Sequence, residues 1–265
     1  MLTLTAGGAR VEIDPDRGGR LLGLAVGDLD LLLTPADDPA GLHWGSFPMA
    51  PWAGRTRKGR FTFDGVEHTL PANSGEHAIH GTVRDRSWVV EEADTVRARL
   101  SCSFGPTWPF DGWAEQEITV HDDRLEQRLS VHSVDGPMPA SCGWHPWFRR
   151  QLRTGGPARL RLETTTMYRR DEDFIATREL ITPPPGPWDD CFTGLTKPAR
   201  LVWPKAASLT IETSCPDLVV YTVPEAAICV EPQTAPPDAL NVDPFLAKPD
   251  EPLVATTTWR WKVTV

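Results

Sequence analysis

Apolar and polar residues alternate with a period of two along almost the whole of this chain, and proline or glycine interrupts the alternation before a helix can begin. Leu2-Thr3-Leu4-Thr5 alternates, Gly7-Gly8 breaks the run, and Arg10-Val11-Glu12-Ile13-Asp14 resumes it. A period of two sends one face of an extended strand into a core and the other into water. Arg60–Phe63 and Val66–Leu70 flank Asp64-Gly65, a two-residue hairpin signal, because the tight turn between twisted strands asks for positive φ at both central positions. Further strands are expected within 97–104, 115–120, 125–134, 159–162, 208–212, 218–222 and 257–265. No window carries a helical stripe over three turns, and 26 prolines and 21 glycines keep the segments short. The fold class is therefore all-β, a large antiparallel sandwich, with surface loops near 150–157 and 182–188. No linker, repeat or shift in composition divides the 265 residues, so 1–265 is expected to be a single domain.

A formal net charge of −9 argues against a nucleic-acid partner, which calls for a basic face. Met1-Leu2-Thr3-Leu4-Thr5 has neither the basic nor the apolar region of a signal peptide, and no apolar stretch is long enough to span a bilayer. The expectation is a cytoplasmic protein with no membrane partner, a monomer or homodimer. Five cysteines, odd in number and without a CxxC pair, suggest neither a disulfide framework nor structural zinc.

Tryptophan is over-used, with eleven against two tyrosines. Trp44, Trp52, Trp144, Trp147 and Trp188 stand beside polar residues and turns. A flat apolar ring next to hydrogen-bonding groups suits a sugar, which is apolar on its faces and polar around its edge.

Five segments carry chemistry. Glu231 ends the apolar run Ala226–Val230, and Pro232 with Pro236-Pro237 is expected to stop the strand there; such a carboxylate either pairs with an arginine or serves as a general base. Arg55, in Ala53-Gly54-Arg55, either forks onto a ligand's oxygens or belongs to a surface charge run with Arg57 and Lys58. His77 and His80 are three apart and project to opposite faces of a strand, which makes them poor joint metal ligands. His145, ahead of Pro146 and among aromatic residues, is biased to extended backbone and kept from solvent. Of Asp189 and Asp190, neighbours on a strand, only one can line a pocket.

Taken in order, Arg55, His80-Gly81, Trp144-His145-Pro146-Trp147-Phe148, Trp188-Asp189-Asp190-Cys191-Phe192 and Glu231-Pro232 through Asn241 resemble the aldose 1-epimerases, or galactose mutarotases, over about residues 45 to 245. The resemblance implies a galactose mutarotase-like β-supersandwich with an open sugar cleft, and no metal, nucleotide or redox cofactor. It implies Glu231 as catalytic base, His145 as catalytic acid, His80 as second active-site histidine, Arg55 as sugar-binding arginine, and Asp189 as the aspartate that holds sugar hydroxyls. Trp52, Trp147 and Gln233 complete the expected substrate-binding set. Gly54, Trp147 and Gln233 stand where many members have Asn, Tyr and Met, and the Trp147 and Gln233 changes leave the hexose preference open.

The implied reaction interconverts α and β anomers of a hexose. The C1 hydroxyl loses a proton, O5 gains one, the ring opens, and rotation about C1–C2 lets it close on the other face. An acid and a base on opposite sides of C1 are expected, with Glu231 ionised and His145 charged at once. Reference values near ~4.3 for Glu and ~6.5 for His then place an acid limb on Glu231 and an alkaline limb on His145. Three other readings are a mutarotase for a 6-phosphate or 6-sulfonate sugar using Arg57, Lys58 and Arg84; a carbohydrate-binding protein without catalysis; and a cupin-type metal enzyme. The last is disfavoured because no His-x-His pair is present.

Overall fold

The computed structural model describes residues 1–39 and 43–264 and is 56% strand and 4% helix. Two large antiparallel sheets carry the fold. In the first, the order is Leu2–Ala6, Ala9–Asp14, Arg20–Val26, Ser46–Met49, Gly143–Arg149, Ala227–Gln233, Asp217–Tyr221, Asp189–Thr193, Thr166–Arg170 and Ala176–Ile181, with Leu29–Asp30 folded back on Arg20–Val26. The second runs Val89–Ala93, Arg97–Ser103, Gly112–Val120, Arg124–Ser133, Leu253–Val263, Ala207–Thr213, Lys197–Trp203 and Arg159–Glu163. The C-terminal strand thus ends at Val263 and begins earlier than the alternation suggested; Val265 lies outside the described residues.

Alternation does what the sequence led us to expect in the second sheet. Arg124–Ser133 and Gly112–Val120 bury every other residue, and Leu125, Leu129, Ile118 and Ala114 are fully buried. They pack on Val11, Ile13, Leu24, Val230 and Phe192 of the first sheet, and Phe148 meets Trp259 edge-on at 4.9 Å across the sandwich. Each such side chain contributes roughly 1.5–3 kcal/mol of burial. The Asp64-Gly65 hairpin forms with φ of 48° and 76° at its two central residues, the turn the dipeptide called for.

The middle of the first sheet departs from alternation. Ser46–Met49, Gly143–Arg149 and Ala227–Gln233 are buried almost throughout. One face rests on the second sheet, and the other lies beneath an open cleft. Polar residues inside such strands are therefore conspicuous, and here they are Ser46, His145, Glu231 and Gln233.

Pro232 does not end its strand, contrary to the sequence reading: Ala227–Gln233 runs through it, with Pro232 opposite Leu218. Gly143↔Gln233 and Trp147↔Cys229 are paired on one register, and on that register His145 faces Glu231. Pro146 and Pro232 have no N–H to give, so these rungs hold together through packing and side chains. Gly143 lets the strands meet, since a Cβ there would lie 2.2 Å from the Pro232 carbonyl oxygen.

Candidate active site

The cleft floor is built by cross-strand register. Cys229, Glu231 and Gln233 share a face, and Val219 and Tyr221 lie opposite Glu231 and Cys229 on the next strand. Asp189 is opposite Tyr221 in turn, and Cys191 opposite Val219. Asp189 therefore stands on the Glu231 face. Asp190 projects from the alternate position; its carboxylate accepts the Asp189 N–H at 3.1 Å and lies 3.4 Å from Arg170 Nε. Both aspartates nevertheless line the cleft, contrary to the sequence reading that only one could, with Asp189 on the Glu231 face and Asp190 reaching in beside Arg170.

His145 Nε2 lies 3.3 Å from Glu231 Oε1, and both residues are buried. Gln233 Nε2 donates to Glu231 Oε2 at 3.4 Å. Phe47, opposite His145 on the neighbouring strand, stacks on its imidazole with centroids 4.9 Å apart, and Trp147 stacks on it at 4.9 Å as well. Burial pushes the Glu231 carboxyl well above its ordinary value, and the charge of Asp189 adds to that, against the Gln233 hydrogen bond and Arg55. Burial, with positive charge on Arg20 and Arg84, pushes the His145 imidazole down to about 3. Burial thus works against the simultaneous charged His145 and ionised Glu231 expected from sequence. The two shifts run in the directions of a pair that shares one proton, with burial favouring the neutral carboxyl and the neutral imidazole.

His80 meets His145 edge to face at 5.2 Å. Its backbone is left-handed at φ 64°, pinned by its N–H donating to Gly54 O at 3.0 Å. Gly81 follows because a Cβ there would sit 1.9 Å from the Ala50 carbonyl oxygen. Burial, then the charges of His145, Arg84 and Arg55, hold the His80 imidazole well below its ordinary value, so it is a neutral hydrogen-bonding group. His77 takes no part; its Nδ1 accepts the Lys58 N–H at 3.0 Å.

Arg55 lines the cleft and Gly54 explains how. Gly54 has φ 68°, a conformation open to Gly and Asn, and packs against Pro237. The segment after Glu231 serves this loop rather than the glutamate: Asp238 N–H donates to Arg55 O at 2.6 Å, and its carboxylate accepts from Arg57 N–H at 2.9 Å. Burial pushes the Asp189 carboxyl up while Arg55 and Arg170 pull it down.

Trp52 is a correction. It is buried in the main core, stacked on Trp108 at 5.6 Å, and does not line the cleft. Trp144 is likewise core, whereas Trp147 and Gln233 do line the cleft. Arg57 is bound to Asp171 and to Asp173 at 2.6 Å, and Lys58 faces Glu76 at 3.8 Å, so neither reaches the cleft; Arg84 does. Phe47, Tyr168, Arg170 and Tyr221 also line the cleft and were not singled out from sequence. Its volume is about 320 Å³, at the small end for a ligand site.

His145, Cys229 and Glu231 each place one ligand atom within 4.8 Å of the others, the donor set of a three-ligand metal site. Burial, reinforced by the Glu231 charge, holds the Cys229 thiol well above its ordinary value. Glu76, His77 and Asp173 form a second, more exposed group. No helix among the described residues is long and apolar enough to cross a membrane.

The sequence model of the aldose 1-epimerase family matches residues 1–264. The uncharacterized protein YphB of Escherichia coli K12 is 24% identical, with 89% of this chain and 88% of that protein covered. A GalM/aldose epimerase homologue from C. elegans superposes with a TM-score of 0.86 at 18% identity, covering 100% of this chain and 99% of that one. The galactose 1-epimerase of Lactobacillus acidophilus NCFM gives 0.81 at 18% identity, covering 99% and 94%. The fold is galactose mutarotase-like.

Proposed function

This chain belongs to the aldose 1-epimerase family, and we propose that it interconverts the α and β anomers of a neutral hexose, with Glu231 and His145 as one proton-sharing acid–base pair. The observation that carries the reading is the 3.3 Å approach of His145 Nε2 to Glu231 Oε1 on the floor of a cleft rimmed by Arg55, His80 and Asp189.

The pair acts side by side, not from opposite sides of C1. O1 and O5 are both bonded to C1, so an adjacent acceptor and donor serve the two oxygens of one anomeric centre. The resting proton passes from the Glu231 carboxyl to the His145 imidazole. Glu231 then takes the O1 proton as imidazolium gives its own to O5. The C1–O5 bond breaks, C1=O1 forms, and the open chain rotates about C1–C2. Closure runs the transfers backward on the other face. Each positioned group contributes typically about 10²–10⁴-fold. Arg55 and neutral His80 stabilise charge as it develops on the ring oxygen, and Asp189 accepts from sugar hydroxyls. Trp147 presents an apolar ring at the floor. No cofactor, nucleic acid or membrane enters this scheme.

Of the cations that a 6-phosphate or 6-sulfonate sugar would use, Arg57 is held by Asp171 and Asp173, and Lys58 lies outside the cleft. Arg84 and Arg170 do line the cleft, but Arg84 Nε binds Asp85 at 2.9 Å and Arg170 faces Asp189 and Asp190. A neutral sugar fits better. Polarimetry of freshly dissolved α-galactose and α-glucose tests the reading, with hexose 6-phosphate as competitor. Acceleration that excess 6-phosphate leaves unchanged supports it; tight competitive inhibition overturns the neutral-sugar assignment. Sugar binding without acceleration makes the protein a carbohydrate binder.

A further inference from the structure

Behind the acid–base pair lies an arginine that the chemistry above does not use. Arg20 begins the strand Arg20–Val26 and is 2% exposed. Its guanidinium carbon sits 4.2 Å from the Trp44 ring centroid and 4.7 Å from that of Phe47, and Nη1 donates to the Trp44 carbonyl at 3.2 Å. Phe47 in turn stacks on His145, and Trp44 packs in one cluster with Trp147, whose ring also stacks on His145. Both rings against the imidazole are thus backed by one buried guanidinium or by the indole it covers. A planar cation suits this place because it lies flat on aromatic faces while donating in its own plane.

Taking such a charge out of water is expensive, and a leucine would fill a core at no such cost. The expense points to work done by the charge. We propose that Arg20 is a positioning residue that acts on the reaction through His145, by bracing the Phe47 and Trp44 rings and by fixing a positive charge behind the imidazole. This rests on the acid–base role proposed for His145. The groups facing that imidazole from every side are Glu231 and Cys229 on the next strand, His80 edge-on, and the charges of Arg84 and His43; Phe47 and Trp147 bring none. Among the positive charges, Arg20 weighs most against protonation of His145. Burial lowers the guanidinium itself only to about 10, so it stays charged wherever the enzyme works. The fixed charge makes His145, once it has the proton, a stronger acid toward O5.

The experiment uses Arg20→Met and Arg20→Lys in the full chain, with His145 followed by NMR of ring-labelled histidine and turnover followed separately. In Arg20→Met, the pH at which the His145 ring begins to move toward its charged shift rises by about one unit, as expected for a unit charge at this remove in a medium of effective dielectric about 20. Its kcat falls about tenfold with KM within about twofold of wild type. Arg20→Lys keeps the charge but cannot lie flat, so the His145 onset stays at the wild-type pH while kcat falls about threefold. If Arg20→Met does not fold, Arg20→Lys decides alone. A wild-type His145 onset in folded Arg20→Met, a raised onset in Arg20→Lys, or wild-type kcat in Arg20→Lys overturns the proposal. The NMR readout needs no turnover, so lack of mutarotation in the wild type would count against the function and not against Arg20.

Discussion

His145 Nε2 and Glu231 Oε1 approach to 3.3 Å across a sheet rung flanked by Pro146 and Pro232. Strands that cannot complete a backbone ladder there present a buried imidazole and a buried carboxyl to each other instead. Neither group holds its charge easily when buried, and the mechanism proposed above has them share one proton that moves between them and the sugar.

Sharing one proton makes the two residues a unit. Glu231→Gln or His145→Asn alone is expected to lower kcat by about 10²–10⁴-fold. The double substitution should cost little more than the worse single one, because the second change removes a group already idle. Polarimetric rates of the four proteins check this, and multiplicative losses would mean that the two groups act independently.

The pH dependence should differ from that of free side chains. The acid limb reports a second proton entering the pair and is displaced far below an ordinary histidine, toward about 3, as His145's burial and the Arg20 charge dictate. The alkaline limb reports loss of the last proton and lies above the ordinary carboxylate range, as Glu231's burial dictates. The limb assignments drawn from reference values are thereby exchanged. A kcat/KM profile with its acid limb near ~6.5, where an ordinary histidine titrates, would contradict a shared proton.

Stability should carry the opposite signature of the same burial. Glu231 is raised in the folded protein, so above its unfolded value the unfolded chain ionises while the folded one does not, and its contribution is lost as pH rises. Glu231→Gln has no such ionisation. Its Tm should exceed that of wild type by a margin that grows as pH rises above the ordinary carboxylate range. His145 has the reverse sign: its value is lowered, so its contribution is full above its unfolded value and is lost as pH falls toward about 3. A Tm difference between Glu231→Gln and wild type that shrinks as pH rises would refute this.

The two tryptophans assigned alike from sequence should now separate. Trp147→Phe alters the surface against His145 and the cleft, so kcat/KM should fall about tenfold with a modest change in Tm. Trp52→Phe, deep in the core beside Trp108, should lower stability by about 1–3 kcal/mol and leave KM unchanged. Thermal melts and saturation kinetics on both variants distinguish a site residue from a core residue.

The all-β class was legible because strand alternation and the Asp64-Gly65 turn are local properties of the chain. Arg55, His80, His145, Asp189 and Glu231 were legible as chemistry-bearing residues in a recognisable order, and the structure brings all five to one cleft. What was hidden is carried by register between distant strands. Phe47 meets His145 because residues 46–49 pair with 143–146, and no periodicity announces that pairing. Tyr221 and Asp189 share Glu231's face for the same reason. Trp52 was misplaced because a tryptophan beside a turn gives no sign of which side it faces. Pro232 was misread because a proline can stay within a strand where the adjoining rung makes no ladder.

The most direct measurement follows the anomeric ratio of freshly dissolved α-galactose by NMR, with wild-type protein and with Glu231→Gln at equal concentration and neutral pH. Wild type should bring the sugar to its equilibrium ratio far ahead of buffer, and Glu231→Gln should trail wild type by at least about 10²-fold while still binding the sugar. Equal rates for the two proteins would contradict the central role given to Glu231 and its shared proton with His145.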